Sequence, residues 1–204
     1  MKNSLWTNVE VENATNALTT GVLWNAEGIC IDSRKVQPRD IFVAFKGNRV
    51  DGHSYVLDAF KKGAVAAIVE REIEGLKEEN PLLIVENVQE ALAQLACSAR
   101  NRSAADVIAI TGSVGKTSSK NLLAKALSQF DSVHSTIGNL NNHIGAPLTL
   151  ARLNVSSRFA VFELGMNHSG EIELLSKLIR PKVAMITNVH GVHLEQLKTE
   201  RAVA

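Results

Sequence analysis

One short segment restricts this chain more than any other: Thr111-Gly112-Ser113-Val114-Gly115-Lys116-Thr117-Ser118. It follows the apolar run Val107–Ile110 and opens an amphipathic stretch from Lys116 to about Gln129. Glycines let the backbone fold back so that several N–H groups meet one anion, and the start of a helix adds a favourable dipole. Such a loop needs a strand feeding it and a helix leaving it, so the chain must contain an α/β layer. Lys116 would bring a cation to the β- and γ-phosphates of a nucleotide, and Thr117 a hydroxyl to Mg²⁺. The general pattern G-x-x-x-x-G-K-[ST] has its first glycine where Ile110 stands; here Gly112 gives the shorter G-x-x-G-K-T. An ordinary strand–turn–helix with a chance Gly-Lys-Thr is the alternative. The loop implies nucleotide binding and leaves the reaction open.

The flanking sequence alternates short β-branched runs with amphipathic stretches. Gly28–Asp32 and Asp40–Phe45 read as strands, Asp51–Lys62 as a helix stopped by Gly63, and Ala64–Val69 and Leu82–Val85 are two more apolar runs. Asn87 with Glu90 resembles a capping box ahead of Leu92, Leu95, Ala96 and Ala99 at helical spacing. The small polar segment Asn101–Ala105 reads as a boundary, which gives domains of 1–104 and 105–204. Beyond it, Val133–Ser135, Phe159–Glu163 and Val183–Thr187 read as strands and Glu171–Leu178 as a helix. The expected fold class is α/β: a small N-terminal α/β domain, then a phosphate-loop domain with a mainly parallel sheet.

Of the 204 residues, 45% are hydrophobic and 21% charged, which excludes a disordered or collagen-like chain. A net charge of +1 and 4% aromatics give no case for nucleic acid or an anionic membrane as partner. Cys30 and Cys97 form no Cys-x-x-Cys, so a disulfide scaffold is not expected. Met1–Glu10 lacks the apolar run of a signal peptide, and no stretch reaches the ~20 apolar residues of a membrane helix. A cytoplasmic protein is the expectation.

Three further segments follow in a fixed order after the phosphate loop: Gly138-Asn139-Leu140-Asn141-Asn142-His143-Ile144-Gly145-Ala146-Pro147-Leu148, Glu163 through Ile172, and Asn188-Val189-His190-Gly191-Val192-His193-Leu194-Glu195. Ahead of it stand Asp32-Ser33-Arg34, Phe42 through Gly47, Asp51-Gly52-His53 and Gly63-Ala64. Together they resemble the Mur ligases of peptidoglycan synthesis, in particular the D-alanyl-D-alanine-adding branch, over nearly the whole chain from about Gly28. The resemblance implies ATP-driven amide formation. The carboxylate of UDP-N-acetylmuramoyl-tripeptide takes the γ-phosphate to give an acyl phosphate, and the amine of D-alanyl-D-alanine displaces phosphate.

The resemblance also implies roles. Gly112, Ser113, Val114, Gly115, Lys116, Thr117 and Ser118 would cradle the triphosphate, with Asn142 near nucleotide and substrate. Lys116, Glu163 and His193 would be the catalytic set. Thr117 and Glu163 would hold one Mg²⁺ and His193 a second. Ser33, Arg34, Lys46, Asp51 and His53 would serve the UDP-sugar; a planar guanidinium such as that of Arg34 suits a diphosphate. Simpler readings stand beside these: Asp32–Arg34 as a surface ion pair, Asp51-Gly52 as turn chemistry, Glu163 as a solvated strand end, His193 as a surface histidine or part of a zinc-binding His-x-x-His. His143 stands where the family usually has an acidic residue, and Gln196–Thr199 replaces its Gly-rich tail. The family is longer and carries a metal-bridging lysine that would fall past Ala204. The expectation is therefore a ligase cut within its ATPase domain, inactive alone, with an apolar sheet edge exposed; the full-length protein is expected to be a monomer. The sister ligase adding the third stem-peptide residue and a non-catalytic nucleotide-sugar module are the alternatives.

Overall fold

The computed structural model describes residues 4–19, 22–47, 50–77 and 79–190. Met1–Leu95 and Ala96–Ala204 pack as two units.

In the first unit, β1 (Trp6–Thr7) leads directly into α1 (Asn8–Thr15) and β2 (Leu18–Thr19); β3 (Asn25–Ala26) returns antiparallel to β1. The helix starts at a capping box: the Glu10 N–H donates to Thr7 Oγ1 at 3.3 Å, and the Thr7 N–H to the Glu10 carboxylate at 2.8 Å. No element is expected here from the sequence, because two-residue strands carry no readable period.

The main sheet of this unit runs β2-β7-β6-β5-β4, with β4 (Gly28–Cys30), β5 (Asp40–Val43), β6 (Ala66–Val69) and β7 (Leu82–Ile84) parallel and β2 antiparallel on the β7 edge. A parallel sheet is covered on both faces, so its strands are apolar throughout, and all four residues of β6 are buried. Phe42 and Ala67 of the sheet share one core cluster with Val56 and Ala59 of α2 (Val56–Lys61). The helix expected over 51–62 is divided: Gly52–Tyr55 form a 3₁₀ turn before α2. Asp51 causes this by accepting the His53 N–H at 3.0 Å, which tightens the first turn. Gly63, at φ +97°, stops the helix as expected. The Asn87 side chain caps α3 (Val88–Arg102) through the Glu90 N–H at 2.9 Å. Leu92, Leu95, Ala96 and Ala99 are buried, as their spacing requires. The helix continues through Asn101 and Arg102, and the division between units falls inside it.

The second unit follows the order β8 (Asp106–Thr111), α4 (Lys116–Leu127), β9 (Val133–Ser135), α5 (Gly145–Ala151), β10 (Phe159–Glu163), α6 (Glu171–Ile179), β11 (Val183–Ile186). Its sheet, β11-β8-β10-β9, is parallel throughout. Each strand and helix expected after residue 105 is present within a residue or two. Helix α5 is the addition: every residue from Gly145 to Ala151 is buried. A helix without a polar face has no amphipathic period to read, and Pro147 fits because it lies in the first turn. At the other edge all four residues of β11 are exposed, Ile186 at 64%. In this parallel sheet the register sets Glu163 beside Ile110, so the C-terminal ends of β8 and β10 lie together. Ligand sites of open α/β sheets form at that end.

Candidate functional site

The phosphate loop springs from the end of β8. Gly112 has φ +133° and Gly115 φ +82°, both outside the range of ordinary L-residues. Gly115 precedes α4 directly and brings no side chain to cap it, so the first helical N–H groups are left for an anion. Lys116 Nζ lies back across the loop, donating to the carbonyls of Gly112 at 2.5 Å and Ser113 at 3.1 Å. Those are weak partners for an ammonium, and a polyphosphate would replace them with full charges. Thr117 and Ser118 are exposed in the first turn of α4. A cavity of about 500 Å³ opens here, lined by Gly112, Ser113, Lys116, Asn142, Asn188 and Glu171 among others. That volume lies in the range of small-molecule sites.

Glu163 ends β10 and is 2% exposed. Its Oε1 accepts from Asn141 Nδ2 at 2.8 Å, and its N–H donates to Thr136 Oγ1 at 3.0 Å. Its Oε2 has no hydrogen-bond partner among the described residues. A buried carboxylate oxygen left unpaired is costly, and a hard cation would satisfy it. The Glu163 carboxylate and the Thr117 hydroxyl are oxygen donors of the kind Mg²⁺ takes, one or two from the protein and the rest from phosphates and water. The residues thus fit Mg²⁺ with nucleotide. Among the described residues no group of three or more His, Cys, Asp or Glu gathers around a metal position. His193 lies outside the described residues, and with it both the second-metal role and the His190–His193 zinc reading.

Three residues here carry no role in the sequence reading. Asn141, inside the Gly138–Leu148 motif, gives Glu163 its hydrogen bond and accepts the Gly165 N–H at 2.8 Å. A Cβ on Gly165 would stand 3.0 Å from the Asn141 side chain, so glycine keeps that approach open. Thr136 anchors Glu163 and also accepts, through its carbonyl, the buried Lys120 ammonium at 2.7 Å. Asn142 lines the cavity, with Oδ1 capping α5 through the Gly145 N–H at 2.8 Å. Glu171 accepts the N–H groups of Asn167 (2.7 Å) and His168 (3.2 Å). These bonds, the Asn167 one foremost, lower its carboxyl below the ordinary range.

In the first unit the expected sugar-site residues follow the C-terminal ends of β4 and β5. Arg34 is exposed and forms a two-pronged pair with Asp32 (2.9 and 2.8 Å). Arg34 pulls the Asp32 carboxyl down to about 2. Ser33 accepts Lys62 Nζ on its carbonyl at 2.7 Å. Lys46 is exposed and bridges Asp51 through the backbone. The Asp51 carboxylate takes Arg71 at 2.7 Å and His53 Nδ1 at 2.6 Å, which together hold it well below the carboxylate range. His53 is buried; its Nε2 accepts the Glu70 N–H at 2.9 Å, so Nδ1 carries the proton given to Asp51. Both ring nitrogens are therefore committed to the protein, and His53 works through the loop it fastens.

Two family models match the chain: the Mur ligase family catalytic domain over residues 25–100 and the Mur ligase middle domain over 110–204. The chain belongs to the Mur ligase family. Among curated Mur ligases, the UDP-N-acetylmuramoyl-tripeptide–D-alanyl-D-alanine ligase of Synechocystis is 41% identical over 86% of this chain. The Escherichia coli enzyme of that name is 43% identical over 83% of it. The chain spans 39% and 37% of those two relatives, about two-fifths of their length. Among solved Mur ligases, a MurF from Acinetobacter baumannii superposes with a TM-score of 0.86 at 37% identity, over 97% of this chain and 44% of that one. A MurF from Thermotoga maritima, in complex with ADP, gives 0.73 at 34%, over 86% and 40%. The mixed α/β fold with mostly parallel sheets is that of these Mur ligase neighbours. Among the described residues no helix is long and apolar enough to cross a membrane.

Proposed function

We propose that the whole protein to which this chain contributes is a cytoplasmic, monomeric, ATP-dependent ligase of peptidoglycan synthesis. It adds D-alanyl-D-alanine to UDP-N-acetylmuramoyl-tripeptide. One observation carries this reading: a phosphate loop with an uncapped helix start stands beside a buried Glu163 with an unpaired oxygen, in a chain about 40% identical to ligases of that name. The uncapped N–H groups of α4 and the Lys116 ammonium bind and orient the triphosphate. Mg²⁺, when bound by Glu163 and Thr117, neutralises phosphate charge so that a carboxylate can approach. A substrate carboxylate oxygen then bonds to the γ-phosphorus as ADP leaves. The amine next bonds to the acyl carbon, phosphate leaves, and the amine loses its proton. The catalytic role of His193 belongs to the same proposal. So does a sugar-binding first domain over 1–104, with Ser33, Arg34, Lys46 and Asp51 at the ligand, ahead of an ATP-binding part over 105–204.

Calorimetric titration with UDP-N-acetylmuramoyl-tripeptide, against UDP-glucose, tests the first domain. ADP titration, with and without Mg²⁺, tests the second. Selective tripeptide binding and Mg²⁺-strengthened ADP binding are expected; indifference to both ligands in a folded chain would sink the reading. In the whole protein, D-alanyl-D-alanine rather than a diamino acid should stimulate ADP release.

A further inference from the structure

The segment just after β11 braces the phosphate loop. Asn188 Oδ1 accepts the Val114 N–H at 3.0 Å, and Asn188 Nδ2 donates to the Val114 carbonyl at 3.1 Å. One carboxamide thus pairs with both backbone groups of one residue, as a neighbouring strand would. Thr187 Oγ1 donates to the same carbonyl at 2.6 Å. The Asn188 carbonyl accepts the Ser113 N–H at 3.0 Å, and Ser113 Oγ exchanges hydrogen bonds with the His190 backbone at 2.9 and 3.0 Å. The approach is close enough that a Cβ on Gly112 would stand 2.2 Å from Thr187 Oγ1.

The Val114 carbonyl belongs to the peptide whose N–H is that of Gly115. In a trans peptide the C=O and N–H point in opposite directions. With its carbonyl held by Asn188 and Thr187, this peptide turns its N–H away from the brace. A carbonyl turned to the other side would meet an anion with its negative end. Orientation of this peptide decides whether the loop attracts or repels phosphate.

We propose that Asn188 is a positioning residue for the phosphate loop: its carboxamide, with the Thr187 hydroxyl, fixes the Val114–Gly115 peptide in the orientation that accepts a polyphosphate. The inference rests on the nucleotide reading of this loop and adds Asn188, in the segment after β11, as the residue that sets loop geometry.

The test uses the 204-residue chain and two near-isosteric variants, Asn188→Leu and Thr187→Val, with two readouts. The first needs no ligand: hydrogen exchange of the Val114 and Gly115 amides, followed by nuclear magnetic resonance. The second is ADP affinity by calorimetry. Asn188→Leu is expected to speed exchange of the Val114 amide at least tenfold while the amides of β8 and β10 stay as they were. It should also weaken ADP binding about tenfold. Thr187→Val removes one of the two donors on the carbonyl and should weaken ADP binding a few-fold. Unchanged Val114 exchange in folded Asn188→Leu overturns the proposal. Should that variant not fold, unchanged ADP affinity in Thr187→Val does so. A wild-type chain that takes no ADP while Val114 exchange still responds to Asn188→Leu counts against the nucleotide reading and leaves the brace standing.

Discussion

Gly112→Ala should disable the phosphate loop, whereas Gly115→Ala, three residues on, should be mild. Both glycines have positive φ, but they differ in what a Cβ would meet. At Gly112 it would stand 2.2 Å from Thr187 Oγ1, 2.9 Å from the Asn188 carbonyl and 3.0 Å from the Thr187 nitrogen; at Gly115 nothing among the described residues lies within 4 Å. The hydroxyl cannot swing aside without losing its 2.6 Å bond to the Val114 carbonyl, and the other two atoms are backbone. Three costs combine at Gly112: about 1–3 kcal/mol for backbone in a glycine region, about 1 kcal/mol for the lost bond, and about 1–3 kcal/mol for forcing the strands apart. Relaxation is shared among them, so the expected destabilisation is about 3–4 kcal/mol. Gly115→Ala carries only the backbone cost, about 1 kcal/mol. Urea denaturation of the two variants gives the stability difference, and ADP titration the functional one, with at least a hundredfold loss expected for Gly112→Ala. Adding Thr187→Ala to Gly112→Ala should recover part of the stability. Equal effects of the two alanines, or no recovery in the double variant, would refute a brace pressed against the loop.

Three other outcomes are expected. Asn141→Leu leaves the buried Glu163 carboxylate without the hydrogen bond from Asn141 Nδ2 and should destabilise by about 2–3 kcal/mol, read as a melting point about 4–10 °C lower; a shift under 2 °C would remove Asn141 from the site. Replacing His53 by leucine strands the Glu70 N–H and frees Asp51, at about 2–3 kcal/mol; unaltered melting would deny His53 its fastening role. His134 is half-buried, donates Nε2–H to the Thr149 carbonyl at 2.8 Å, and has its pKa lowered by desolvation. Between its folded value and the unfolded value of about 6.5 the unfolded chain binds more protons, so stability falls as pH drops below about 6.5 and stops falling under the folded value. The urea midpoint should therefore fall from pH 7.5 to pH 5, and His134→Gln should flatten that slope; identical slopes would refute the assignment.

The sequence by itself determined the α/β class, the strand feeding the phosphate loop and the helix leaving it. These are local matters: β-branched runs, glycines at a turn and a capping asparagine act within a few residues of themselves. The resemblance to the Mur ligases also pointed to Glu163, at the end of an expected strand. Tertiary structure alone decided which neighbours those groups have. Nothing in Gly138–Leu148 says that Asn141, rather than Asn142, reaches Glu163, since that depends on how the loop before α5 crosses the end of β10. Helix α5 was invisible because full burial erases the polar face from which periodicity is read. His53 looked like a ligand residue until packing closed around it and committed both its nitrogens. The brace on Val114 joins residues 74 apart in the chain, a pairing made by the parallel register of β11 on β8 and by no local preference. Short-range chemistry selects elements; long-range register selects partners, and the geometry of this site depends on the partners.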